Sequence, residues 1–342
     1  MKKFLSFLAS LGLGIILFWA VSKYVVSWQE TKTELLNFSL LEAIIIFFLA
    51  GLVILLETYR WQDILKSKGV SAPILKLLTS NIACFAIVYL APIGVFWADF
   101  FRARTIKDID GLSSEKRIAS VFIDRILSSF FNLIIACLGS SIFFFKTDIF
   151  VPGLSGVFWA VIAFFAFIFI FLFVLLFYSK VFKKFGILKF FLNGGNVDMV
   201  IGIRKEIFGF FKKQNFKYLA RSLIISIFRF LALLFQWWLL ISFLGHCLPL
   251  SYTLAIFGSS LAAMETPISA DLGSHDLVNA LVFEKLGLER AVGFAFTLIL
   301  RGSGLLFTLL GIILLLKFHF HFLKEDILAK IDILVNYVHK KE

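Results

Sequence analysis

Charge is what this sequence has least of. Only 16% of its 342 residues are Asp, Glu, Lys or Arg, against roughly 25% in an average soluble protein, too few to cover a water-facing globule. Cysteine is scarce as well. Cys84, Cys137 and Cys247 stand alone in apolar or near-membrane stretches, which excludes a disulfide framework or a CxxC metal or redox site and leaves them as packing residues. The chain has five histidines, and the close pair His319 and His321 lies two residues apart in a helical pattern, where the side chains diverge. No metal and no cofactor is expected. The N-terminal apolar run lacks a clear small-x-small cleavage site, so it reads as a first span rather than a signal peptide.

What remains is hydrophobic. Apolar residues make up 60% of the chain, 45 of them Phe, and the mean hydropathy is +0.96. Runs such as residues 158–178 match the roughly 20 apolar residues that a bilayer crossing requires. The expected fold class is an all-α polytopic membrane protein with one membrane domain over residues 1–316. Spans are expected near 4–26, 37–56, 118–145, 154–178, 222–245 and 289–316.

The net charge of +12 follows the membrane rather than a nucleic acid. Lys and Arg gather in alternate connections, 26 of the 34 on one side and four on the other, as the positive-inside rule expects. Both termini are thereby placed in the cytoplasm, and the membrane is read as the cytoplasmic (inner) one. The segment 179–221 interleaves ten basic residues with Phe, the pattern of a cytoplasmic amphipathic stretch on an anionic leaflet. The tail, 317–342, repeats Leu323, Ile327, Ile331, Leu334 and Val338 at helical spacing and reads as an interfacial helix.

Two apolar segments are broken. Residues 77–101 contain Pro92 and Gly94 and have basic residues on both flanks. Residues 251–288 contain METPISADLGSHD, with Pro267, Gly273, Glu265, Asp271, His275 and Asp276. Irregular backbone at membrane depth survives only when it is buried in protein or lines a wet cavity, and charges there default to function. Both segments read as re-entrant hairpins, with connections 57–76 and 99–117 cytoplasmic. Glycine at 273 is expected to take a conformation, or allow an approach, that a Cβ would obstruct, so that Gly273→Ala reduces function more than Gly258→Ala, which sits in the entering arm.

The halves share a plan. Trp61, Pro92 and Arg125 follow one another at intervals of 31 and 33 residues; Trp237, Pro267 and Arg301 do so at 30 and 34. The topology sends the hairpins in from opposite faces, so the halves would form an inverted repeat, a transporter signature. Asp124 and Arg125 are neighbours about 100° apart on a helix, so at least one needs a partner on another segment. Asp99 is expected to pair with Arg125, and Asp271 or Asp276 with Arg301. Arg102, Arg104 and Lys107 read first as interfacial topological residues, with Arg102 also a candidate ligand.

At these residues the chain resembles the transmembrane domain of lysylphosphatidylglycerol synthases and its free-standing flippase-like (UPF0104) relatives. Pro92, Gly94, Asp99, Arg102 and Ala103 resemble the family's proline-to-GGDxxRA region, with Trp97 and Ala98 where glycines are usual. Asp124 and Arg125 resemble its DR pair. Pro267, Gly273 and Asp276 resemble its P-S/I-GGLGxxE element, with Asp in place of Glu, and Arg301 matches a family arginine. The resemblance implies a lipid-handling membrane protein. With 26 residues after the last expected span, aminoacylation by this chain alone is not expected.

The function expected is movement of an anionic phospholipid or polyprenyl-phosphate lipid across the membrane. Arginine's planar fork suits phosphate, and Asp99, Asp124, Glu265, Asp271 and Asp276 would pair the cations when the groove is empty. Membrane lipids are the expected partners, together with a second copy of the chain or a separate lipid-modifying enzyme. The alternatives are a secondary transporter coupling a small polar solute to protons or ions, and a membrane enzyme or non-transporting subunit, for which His275 beside Asp276 is the one candidate base.

Overall fold

A computed structural model describes residues 12–90, 94–147, 197–264 and 272–339. The expected span 154–178, the basic segment before residue 197, Pro92, and Glu265, Pro267 and Asp271 of the second break lie outside the described residues.

All the described elements are helical. In chain order they are α1 (Gly12–Val25, ending in a π-helical turn), α2 (Trp28–Asn37), α3 (Leu40–Lys66), α4 (Ile74–Leu90), α5 (Gly94–Thr105), α6 (Ser114–Thr147), α7 (Val197–Phe210), α8 (Phe216–Phe243), α9 (Leu250–Met264), α10 (Ser274–Lys285) and α11 (Arg290–His339). Four stretches are long and apolar enough to cross a bilayer: Leu40–Lys66, Ser114–Lys146, Lys213–Phe243 and Arg290–Phe318. The molecule is a polytopic membrane protein. Helices α4, α5, α9 and α10 have 17, 12, 15 and 12 residues, and at 1.5 Å per residue none reaches across about 30 Å of hydrocarbon.

Local chemistry sets the ends. Ser39 caps α3 in a reciprocal box with Glu42, satisfying two amides that would otherwise be left without partners. The same helix stops where Gly69 turns to φ 78°. Its far end corrects the expected loop over 57–76, because the chain stays helical through Lys66. Glu57, Arg60 and Asp63 each find a charged or hydroxyl partner on α6 or α8, so polar side chains can remain helical and buried. Just beyond, Lys68 pairs with Glu206 of α7 at 3.0 Å. Burial pushes the Lys68 ammonium below the ordinary lysine range, and Glu206 pulls against that shift.

The tail is helical as expected, but it continues α11 without interruption to His339 instead of starting a separate helix.

The helices exchange partners between halves. Helix α4 packs on α5 and, more extensively, on α11; α9 packs on α10 and, more extensively, on α6; α3 packs against α8. Both cross-half contacts bring backbones together. A Cβ on Gly139 of α6 would lie 2.8 Å from the Cα of Gly258 in α9, and one on Gly311 of α11 would lie 2.6 Å from the Ile82 carbonyl oxygen in α4. Small residues allow such approach where lipid supplies no hydrophobic drive between helices. Gly258, the comparison position in the entering arm, is therefore a close-packing residue. Each half also has its own tryptophan-centred cluster: Trp61 with Leu65, Leu77, Ile106 and Val121, and Trp237 with Phe257, Phe283 and Phe296.

Candidate functional site

Each half brings an arginine of a long helix to an aspartate of a short one. In the second half, Gly273 adopts φ 81°, which costs a residue without Cβ little, and its amide donates to the Asp276 carboxylate at 2.8 Å. That bond orients Asp276 on the first turn of α10. Arg301 on α11 then donates from Nη1 and Nη2 to the two carboxylate oxygens, at 2.9 and 2.7 Å. Asp276 is completely buried. The Phe18 ring of α1 lies 5.8 Å from the Arg301 guanidinium, and a Cβ on Gly273 would collide with Leu17 and meet the Phe18 amide nitrogen at 2.9 Å. The first helix thus packs against the start of α10, and a side chain at 273 would lift it off.

The first half repeats the pair. Arg125 on α6 donates from Nε and Nη2 to Asp99 on α5, at 3.0 and 2.9 Å. Both expected arginine–aspartate pairs therefore form, each from one short helix and one long one. Here, however, the pair is part of a larger network. Asp124, on the neighbouring face of α6, accepts from Arg60 Nε at 2.7 Å and from Arg102 Nη2 at 2.9 Å. Arg102 also approaches Asp99, with Nη1 at 3.8 Å, and its guanidinium lies 4.2 Å over the Trp61 ring. Arg60 additionally donates to Ser226 on α8 and Ser128 on α6.

Sequence reasoning missed Arg60, which was counted with the cytoplasmic loop and is 1% exposed in the core. A signal was present: Val53, Glu57, Arg60 and Ile64 recur at helical spacing, so a helix continued past residue 56 would place two charges on its buried stripe. Arg102 corrects the interfacial reading. It is buried between Asp99, Asp124 and Trp61, and its Nε has no hydrogen-bond partner. Arg104 is exposed.

His275 is buried, and its ring faces Asn279 Nδ2 at 3.0 Å. Asn279 donates in turn to Thr297 and accepts from Ser260, so this second-half polar cluster is internally satisfied and neutral in composition. Among the described residues no group of three or more His, Cys, Asp and Glu could hold a metal ion.

In the network of the first half, three guanidinium groups face two carboxylates, an excess of one positive charge among the described residues. Nearby Glu57 and Arg229 pair at 2.6 Å, one charge of each sign, and do not alter that balance. Arg125 is its most open member, with 39% of its side chain exposed.

Comparison with known families matches residues 5–311 to the lysylphosphatidylglycerol synthase TM region. The chain belongs to that family. No curated protein and no solved structure gives a match. As a member of the lysylphosphatidylglycerol synthase TM-region family, the chain is an integral membrane protein of lipid metabolism or transport, and the arginines and aspartates described above fall within the matched span.

Proposed function

We propose that this protein moves an anionic lipid, a phospholipid or a polyprenyl phosphate, across the cytoplasmic membrane. The observation that carries the reading is the excess cation, counted among the described residues, in the Arg60–Asp124–Arg102–Asp99–Arg125 network. An uncompensated charge at membrane depth costs from about 3 kcal/mol to several times that, and a phosphate oxygen brought to Arg125 would supply the missing negative charge. Arg102 Nε, still without an acceptor, is a further donor available when the network rearranges. Two-pronged guanidinium geometry suits phosphate and lets the same arginine return to aspartate when the lipid leaves.

The halves would work as an inverted repeat, with α4–α5 and α9–α10 as hairpins entering from opposite faces. The exchanged contacts support this, since each short entering helix packs on the arginine-bearing helix of the other half. Rocking one half against the other would then open the network to alternate leaflets. In this reading the membrane domain carries lipid without changing it chemically.

The test is purified protein reconstituted into vesicles with fluorescent phosphatidylglycerol or phosphatidylcholine, followed by quenching from outside. Faster exchange of phosphatidylglycerol, lost in Arg125→Lys, supports the proposal. No acceleration of any anionic lipid, or an Arg125→Lys protein as fast as the parent, overturns it.

A further inference from the structure

The seam between α3 and α8 carries polar pairs on successive turns: Glu57 with Arg229 at 2.6 Å, Arg60 with Ser226 at 3.0 Å, and Asp63 with Arg221 at 3.1 Å. The two helices run antiparallel, so the series leads from the buried network to the end of α3. There the seam opens into a groove of about 230 Å³ lined by Leu56, Tyr59, Gln62, Asp63, Lys66 and Arg221, with Ile225 on the same wall.

The groove's charge resembles that of the inner network. Lys66 lies 3.7 Å and Arg221 3.1 Å from the single carboxylate of Asp63, two cations against one anion. Asp63 Oδ2 is buried and, despite its nearness to Arg221, accepts no well-directed hydrogen bond, so the ion pair is held by charge rather than by a good bond. Arg221 remains 51% exposed. Gln62 braces this wall, its Nε2 donating to the Ala72 carbonyl at 2.8 Å and its Oε1 accepting from Lys66 at 3.1 Å, while Leu56 and Ile225 make one side apolar. The exposed side chains Leu52, Ile224 and Phe228 extend that apolar surface along the same two helices.

We infer that this groove is the loading site for the phosphate headgroup of an anionic lipid, with its acyl chains along Leu52, Leu56, Ile224 and Phe228. The inference deepens the lipid-transport reading by naming where the headgroup enters. A phosphate needs cations that can turn to it, and Arg221, loosely held and half open, can do so while Lys66 stays on Asp63. From there Arg60, buried and donating to Ser226, is one helical turn inward. A lipid fits better than free phosphate because polar and apolar walls meet in one groove.

The experiment titrates the full chain in detergent with dihexanoyl phosphatidylglycerol, dihexanoyl phosphatidylcholine and inorganic phosphate by calorimetry, and measures lipid transfer in vesicles in parallel. Saturable binding of the phosphatidylglycerol alone is expected. Lys66→Gln/Arg221→Gln should weaken it by at least about tenfold, the loss of charge-assisted hydrogen bonds, and slow transfer. Arg221→Lys should keep most of the binding, and Arg125→Lys should bind as the parent does while transferring poorly. Undiminished binding in the doubly substituted protein overturns the site, as does equal binding of the two short-chain lipids. Inorganic phosphate binding as tightly as phosphatidylglycerol overturns the lipid as occupant. Lost binding with undiminished transfer removes the groove from the route but leaves the transport reading intact. Normal transfer by Arg125→Lys with groove binding preserved sinks the transport reading and leaves the groove.

Discussion

Arg301 holds Asp276 by both terminal nitrogens, at 2.9 and 2.7 Å, across the junction of a short helix and a long one. The same carboxylate caps the short helix through the Gly273 amide. One aspartate therefore fixes both the helix start and the position of the guanidinium.

Removing that aspartate should be costly. Asp276→Asn leaves a guanidinium in the membrane without its counter-charge, and we expect a loss of about 3–5 kcal/mol, read as a lowered melting temperature in detergent. Replacing both partners, Arg301→Met with Asp276→Leu, should recover much of that stability yet transfer no lipid. Arg301→Lys should fold, keep its charge and transfer poorly, because the two-pronged grip is lost. Wild-type transfer by the doubly apolar protein would reduce the pair to packing.

The charge balance of the first half predicts an asymmetry. Asp124 accepts from both Arg60 and Arg102, so Asp124→Asn increases an existing excess of cation, whereas Arg102→Gln removes it. Melting curves should rank Asp124→Asn as clearly less stable than Arg102→Gln. The reverse order would mean that the network gains an anion from somewhere else in the folded protein.

Three glycines should not tolerate a methyl group, for two different reasons. At Gly139 and Gly258 a Cβ would meet helix backbone at 3 Å or less, and at Gly273 it would meet both α1 and an unfavourable φ of 81°. Alanine at 139 or 258 should destabilise by about 1–3 kcal/mol, the usual cost of overpacking. Alanine at 273 should also impair transfer, because it displaces α1 from above the Arg301–Asp276 pair. Gly302, with nothing near its Cβ position, is the comparison, and its alanine variant should behave as the parent. Equal melting and transfer across all four variants would remove the special roles.

Topology can be tested with a cysteine already present. Cys247 is exposed in the connection between α8 and α9, and the proposed orientation, with basic residues on the cytoplasmic side, has that connection outside. A membrane-impermeant maleimide should label it in intact cells. Asp110→Cys, in the exposed turn between α5 and α6, should label only after permeabilisation. Labelling of both from the same side would defeat opposed hairpins and, with them, the inverted repeat.

Composition alone determined that this chain belongs in a membrane, since 60% apolar residues against 16% charged leave it no soluble solution. The apolar run lengths also located the long helices, because bilayer thickness is a one-dimensional constraint that a sequence displays directly. The two arginine–aspartate pairs were legible for a related reason: few charges occur inside the apolar segments, each needs a partner, and the repeated spacing leaves a short choice. Only tertiary structure could decide the rest. Whether Arg60 belongs to a cytoplasmic loop or to the core depends on Asp124, 64 positions away, and Ser226, 166 positions away. The positive-inside rule counts basic residues by loop and cannot see such partners. Gly258 is unremarkable in sequence and constrained in the fold because Gly139 lies against it. Burial of a charge and the space beside a glycine are properties of pairs brought together by folding, and a single position in the chain does not carry them.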